Sequence, residues 1–199
     1  MTSLVGAIVA GGKAERFGGA PKGLHRVGGV RIIDRVAAAL RAVVPELIIV
    51  SNASDAREWI TGATVHADAR PERGSLVGLH TAITNAPCAV LVVAWDMPFV
   101  SPALLELIRD RATDKAAVVP EGPSGLEPLC ALYTHDCLPF IEAALDAGDL
   151  RLSRLIAALP AVERIPARDI APLGDPAMLL FNVNTPSDLS LAEAMAAAR

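Results

Sequence analysis

Leu4-Val5-Gly6-Ala7-Ile8-Val9, running straight into Ala10-Gly11-Gly12, decides the fold. Six apolar residues ended by glycine are too few for a buried helix and read as a strand buried on both faces. The pattern returns along the chain. Leu47 to Val50 is a second such strand, with Ser51-Asn52 at its carboxyl end, and Thr64 to His66 is a short third. Cys88 to Trp95 is the clearest, eight apolar residues stopping at Asp96-Met97-Pro98. Between these strands, Ile32, Ile33, Val36, Leu40 and Val43 recur at helical spacing. Ala53 to Ile60 reads as a short helix, and Ser75 starts another that runs to about Asn85.

The alternation continues. Ser101-Pro102 is a helix start, serine as cap and proline in the first position, leading into Leu104 to Arg111. Ala116 to Val119 and Leu129 to Tyr133 read as strands flanking a loop, Glu121 to Pro128. Helices follow at about Asp136 to Ala147 and Leu152 to Leu159, then strands at Val162 to Ile165 and Leu179 to Val183. Thr185-Pro186-Ser187-Asp188 opens the last helix with a capping-box pattern. Strands of the buried type alternating with helices predict an α/β fold, three layers deep, with a mostly parallel sheet.

Composition agrees and narrows the classes. The chain has 199 residues, 52% hydrophobic and 20% charged, which suits one packed domain spanning 1–199 and excludes a disordered chain. No run approaches the roughly 18–20 apolar residues of a membrane span. Leu4 to Gly12 is short and follows no basic residue, which argues against a secretory leader. Cys88, Cys130 and Cys137 contain no CxxC pair, so neither a disulfide framework nor a structural zinc site is indicated; they read as small buried side chains. A cytoplasmic setting is expected. The net charge of −4 hides an asymmetry, because residues 1–31 carry five basic residues against Glu15 alone. A basic amino-terminal loop on an acidic protein suggests a local anion site. It does not suggest a nucleic-acid surface, which needs a basic patch with stacking aromatics.

In parallel sheets, ligands bind beyond the carboxyl ends of the strands near a topological switch point. Three segments there carry chemistry. Ala10 to Leu24 holds five glycines, a proline, Arg16 and Lys22. Glycines let backbone N–H groups approach a phosphate, arginine can clamp it bidentately and lysine adds a mobile charge. The loop matches neither GxxxxGK[ST] nor GxGxxG; a flexible connection is the alternative. Asp96, directly behind an apolar strand, suits a hard cation such as Mg²⁺, or else caps the turn before Met97-Pro98. Asp68, near the end of the third strand, is a weaker candidate of the same kind or an ordinary loop aspartate. Asn182 and Asn184 would share one face of the predicted strand Leu179 to Val183 and its end, reading a polar heterocycle or satisfying backbone groups at the turn. His25, His66, His80 and His135 lack ligand spacing, and with no GxSxG elbow the acyl-transfer reading is poor. Arg151 is a candidate contact for a substrate phosphate.

With these motifs in view, the chain resembles the molybdenum cofactor guanylyltransferases, members of a wider nucleotidyltransferase group with a Rossmann-like fold. The similarity runs essentially end to end. Val9-Ala10-Gly11-Gly12 through Arg16-Phe17-Gly18 to Lys22 matches the family's glycine-rich loop, Asp96-Met97-Pro98 its DMP turn, and Asn182-Val183-Asn184-Thr185-Pro186 its closing NVNTP. The first motif is common to the whole superfamily; the last points to the molybdenum cofactor branch. Val9 stands where leucine is usual, and Pro21 where an acidic residue is common.

The resemblance implies transfer of GMP from GTP to the terminal phosphate of molybdopterin. It places Val9, Ala10, Gly11, Gly12 and Lys22 on the GTP phosphates and Asn52 and Asp68 on the nucleotide. Asp96 would bind Mg²⁺, Asn182 and Asn184 would meet the pterin, and Arg16, Lys22 and Asp96 would be the catalytic set. Transient contact with proteins that deliver the cofactor or accept it is implied too, with no nucleic acid or membrane partner. CTP with molybdopterin, or a nucleoside triphosphate with a sugar or alditol phosphate, is the near alternative. A non-catalytic nucleotide-binding module is the alternative from another class.

Overall fold

The computed structural model describes residues 4–11, 22–72 and 74–198. The chain opens with β1 (Leu4–Val9), then a small antiparallel hairpin, β2 (Arg26–Val27) and β3 (Val30–Arg31), leading into α1 (Ile32–Arg41). Gly28 and Gly29 turn that hairpin at φ +58° and +77°, the left-handed pair of a two-residue loop. Next come β4 (Glu46–Val50), β5 (Thr64–His66), α2 (Ser75–Asn85), β6 (Ala89–Ala94) and α3 (Pro102–Asp110). β7 (Ala117–Gly122), β8 (Gly125–Leu126) and β9 (Cys130–Tyr133) precede α4 (Leu138–Asp146) and α5 (Leu152–Ala158). The chain finishes with β10 (Val162–Ile165), α6 (Ala167–Ile170), α7 (Pro176–Leu179) and α8 (Pro186–Ala197).

The main sheet runs β10-β7-β9-β6-β1-β4-β5, with β8 paired to β7. All neighbours along that path are parallel except the pairs made by β9, which lies antiparallel between β6 and β7. The chain builds outward from β1 through β4 to β5, then crosses to β6 on the other side of β1. The switch point therefore falls between β1 and β6, the strands followed by the glycine loop and by Asp96.

Alternation along β1 separates two cores. Leu4 and Ile8 pack with Ile33, Val36 and Leu40 of α1 and with Leu104 and Ile108 of α3. Val5, Ala7 and Val9 pack with Leu76, Leu79 and Ile83 of α2 and with residues of α4 and α5. The three-layer arrangement expected from the sequence is thus present. A third, smaller cluster joins Val27 and Ile32 to Phe99, Val183 and Ala192, fixing α8 against the hairpin. Among the described residues no helix is long and apolar enough to cross a membrane. Cys130 and Cys137 are buried, Cys88 is partly so, and all three are free thiols.

Three expected elements differ. The expected loop Glu121 to Pro128 holds the end of β7 and all of β8, which pair as an antiparallel hairpin. Leu179 to Val183 is not a strand: Asp175-Pro176 starts α7 instead, with the Asp175 carboxylate accepting from the Ala177 N–H at 2.9 Å. The apolar run beyond it is irregular backbone whose side chains fill the cores. Ala53 to Ile60 contains only a 3₁₀ turn at Ala56–Glu58.

Candidate active site

Parallel pairing brings the carboxyl ends of four strands to one edge. Val9 lies opposite Val50 on one side and Ala94 on the other. The ladder carries one step past the strands: the Ala10 N–H donates to the Val50 carbonyl at 2.9 Å, and the Trp95 N–H to the Val9 carbonyl at 3.2 Å. Val9 and Ala10 are buried and Gly11 is exposed, where a ligand can reach its backbone. Gly12 and Arg16 lie outside the described residues.

Lys22 is delivered to this edge by its neighbour. A Cβ on Gly23 would stand 2.6 Å from the Trp95 ring and 3.0 Å from the Trp95 carbonyl oxygen, so only glycine permits this approach. The Trp95 ring in turn stacks on Trp59, with centroids 5.4 Å apart. From this anchor the Lys22 ammonium donates to Asn184 Oδ1 at 3.0 Å and lies 3.9 Å from Asp96 Oδ2. The Lys22 and Asp96 side chains are only 15% and 13% exposed, so their attraction is little screened. Burial nonetheless pushes the Asp96 carboxyl above the usual range, with Lys22 pulling it back. Water gives that charge little support, which suits a carboxylate that meets a cation.

Asn184 is held by the start of α8. The Asp188 carboxylate accepts from the N–H groups of Asn184 and Thr185 at 2.9 and 2.8 Å, while Thr185 Oγ1 accepts from the Asp188 N–H. The capping box read from the sequence therefore serves the site as well as the helix. Val183 is buried and donates its N–H to the Asp96 carbonyl at 2.9 Å. Asn182 and Asn184 flank it. Both reach the site without the strand expected to align them: Asn184 meets Lys22, and Asn182 donates to Glu127 Oε2 at 3.3 Å.

Glu127 is the residue that sequence reasoning missed. It lies in the segment read as a plain loop, yet it is half-buried, and burial first, then the Asp96 charge, raise its carboxyl while Asn182 lowers it. Asn52 and Asp68 sit at the ends of β4 and β5 and form one unit. Asn52 donates to Asp68 Oδ2 at 2.7 Å, and the Asp68 N–H donates to Asn52 Oδ1 at 2.9 Å. Strands are about 4.8 Å apart, so the two to three steps from β6 to β4 and β5 set this pair roughly 10–14 Å from Asp96, the length scale of a nucleoside triphosphate. Arg151 does not join the site side chains; it pairs with Asp149, as does Arg154, and together they hold that carboxyl well below its usual range.

Among the described residues no cluster of three or more His, Cys, Asp or Glu side chains forms a metal cage. The carboxylate of Asp96 and the amide oxygen of Asn184 do share a cation, the Lys22 ammonium. Two hard oxygens around a positive charge suit an ion that brings phosphate oxygens with it.

Comparison with known proteins identifies the family. A family model described as the MobA-like NTP transferase domain matches residues 6–163. The molybdenum cofactor guanylyltransferase of Desulfosudis oleivorans is 34% identical over 197 residues, covering 98% of this chain and 96% of that one. A probable molybdenum cofactor guanylyltransferase of Pelotomaculum thermopropionicum is 36% identical over 98% and 95% of the two chains. The crystal structure of molybdopterin-guanine dinucleotide biosynthesis protein A from Archaeoglobus fulgidus superposes with a TM-score of 0.83 at 25% identity, covering 98% of this chain and all of that one. The match reaches across the glycine loop, the Asp96 turn and the strands that bring them together, and on it the chain belongs to the MobA-like NTP transferase family.

Proposed function

We propose that this protein transfers GMP from GTP to the terminal phosphate of molybdopterin, giving the guanine dinucleotide and pyrophosphate, in a cytoplasmic setting. The observation that carries the reading is the meeting of Lys22, Asp96 and Asn184 at the switch point between β1 and β6, in a chain of this family.

A phosphate oxygen of molybdopterin forms a bond to the α-phosphorus of GTP, the bond from that phosphorus to the bridging oxygen breaks, and its electron pair leaves with pyrophosphate. No covalent protein intermediate is required, so the chain's task is positioning and charge neutralisation. The backbone from Val9 to Gly12 holds the phosphates, and the Asn52–Asp68 pair meets the nucleoside at the other end of the edge. Lys22, with Arg16 from the same loop, supplies positive charge to the departing pyrophosphate. Asp96, with Asn184 Oδ1 beside it, would hold Mg²⁺, and the ion would supply charge neutralisation to the phosphate oxygens.

Purified protein incubated with GTP, Mg²⁺ and molybdopterin should yield the dinucleotide and one pyrophosphate per transfer. Asp96→Ala and Lys22→Ala should each lower turnover by about 10²–10³-fold. Product formation from CTP in preference to GTP would contradict the guanylyl assignment, and undiminished turnover in either variant would contradict the mechanism.

A further inference from the structure

Glu127 and Asn182 form a hydrogen-bonded pair beside Asp96 that phosphate chemistry does not need. The Asn182 amide nitrogen faces two oxygens, Glu127 Oε2 at 3.3 Å and the Leu180 carbonyl at 3.1 Å. Both partners can only accept, so the orientation of the amide is fixed and both its hydrogens are engaged. Asn182 Oδ1 is left as an acceptor. On Glu127, Oε2 is occupied and Oε1 makes no hydrogen bond among the described residues.

The backbone around this carboxylate is pinned throughout. The Glu127 N–H donates to the Pro120 carbonyl at 2.9 Å, and the Glu127 carbonyl accepts from the Cys130 N–H at 3.0 Å. The buried Tyr133 hydroxyl donates to the Pro128 carbonyl at 2.7 Å, and the Ala94 N–H to the Leu129 carbonyl at 2.7 Å. The facing segment is packed too: Leu180 lies where a Cβ on Gly122 would stand 3.1 Å from its side chain. A half-buried carboxylate held this rigidly, against another negative charge, needs donors to compensate it.

We propose that Glu127 is a further specificity determinant beside Asn182, the residue the family resemblance already places on the pterin: the second Glu127 oxygen and Asn182 Oδ1 accept from the N–H donor edge of the recipient's fused 2-amino-pyrimidinone ring. The inference rests on the transfer reading above. Strand order supplies the direction. On that reading the nucleoside would extend from Asp96 toward β4 and β5, whereas Glu127 precedes β9, on the other side of β6. Attack and departure occur on opposite sides of the α-phosphorus, so the recipient enters from the side that nucleoside and pyrophosphate leave open. A carboxylate there would repel the recipient's phosphate and suits its heterocycle instead.

Steady-state kinetics on Glu127→Gln, Glu127→Ala, Asn182→Ala and the Glu127→Ala/Asn182→Ala double variant test this, with GTP-induced thermal stabilisation showing that each variant is folded. The recipient KM should rise about 10- to 100-fold in each single variant, with the KM for GTP unchanged. The double variant should be little worse than either single one, because the two side chains act as a unit. Transfer by the unsubstituted protein with an unchanged recipient KM in Glu127→Gln overturns the inference alone. A rise in the GTP KM instead places guanine at this pair and also overturns it. Absence of transfer by the unsubstituted protein removes the transfer reading and this inference together.

Discussion

Asp96, the proposed metal carboxylate, sits where its charge opposes folding. Its carboxylate is largely withdrawn from water, and burial raises its pKa despite the Lys22 ammonium 3.9 Å away. With the folded value above the unfolded one, the native state binds the extra proton. Stability is therefore lost as pH rises from the ordinary carboxylate value through the raised one, and stays lost at neutral pH. Asparagine in that place has no charge to desolvate. Asp96→Asn should accordingly melt at a higher temperature than the parent at neutral pH, with the gap closing in acid, while turnover falls by about 10²–10³-fold. Thermal melts across that pH range check the sign; a variant less stable than the parent at neutral pH would mean that attraction to Lys22 outweighs burial. Asp96 was legible in the sequence because a carboxylate directly behind eight apolar residues has no packing role. Glu127 was not, since nothing in Glu121 to Pro128 marks it out from a solvated loop.

The reason lies at the scale of elements. β1, β4 and β6 are parallel and buried on both faces, so they read as apolar runs whose following residues must lie at the ligand edge. β9 runs the other way, and its leading residues, not its trailing ones, reach that edge. Local patterning does not reveal strand direction, so nothing in the sequence assigns Glu127 to that edge. The predicted strand Leu179 to Val183 failed differently: an apolar run signals burial, and here it fills two cores without joining a ladder. Close approach between elements was also invisible. A Cβ on Gly78 of α2 would stand 2.7 Å from Val9 Cγ1, so the helix sits hard against the end of β1. Helix propensity alone favours alanine there by about 1 kcal/mol. The overlap outweighs it, and Gly78→Ala should destabilise the fold by about 1–3 kcal/mol in denaturant unfolding while weakening GTP binding through the displaced Val9–Gly11 backbone. A more stable variant would show that the α2–β1 contact has slack.

Across the whole molecule, one edge of one sheet gathers residues distant in sequence, and the Lys22–Asn184 hydrogen bond there joins positions 162 apart. That convergence follows from strand order: β1 at the centre, β4 and β5 to one side, β6 and β9 to the other. The fold class and the motifs of the edge were legible, because alternation and buried strands specify a parallel sheet whose switch point collects them. The proposed division of the edge into a nucleoside end and a recipient end was not, because it depends on which strands become neighbours. The proposed transfer requires a single triphosphate lying along this edge, from the Asn52–Asp68 pair to Asp96. A crystal structure of the protein with Mg²⁺ and a GTP analogue bearing a methylene bridge between the α- and β-phosphates measures it directly. The account predicts guanosine beside Asn52 and Asp68 with the α-phosphate near Asp96 and Lys22; a nucleotide bound at the opposite edge of the sheet, or with its phosphates remote from Asp96, would contradict it.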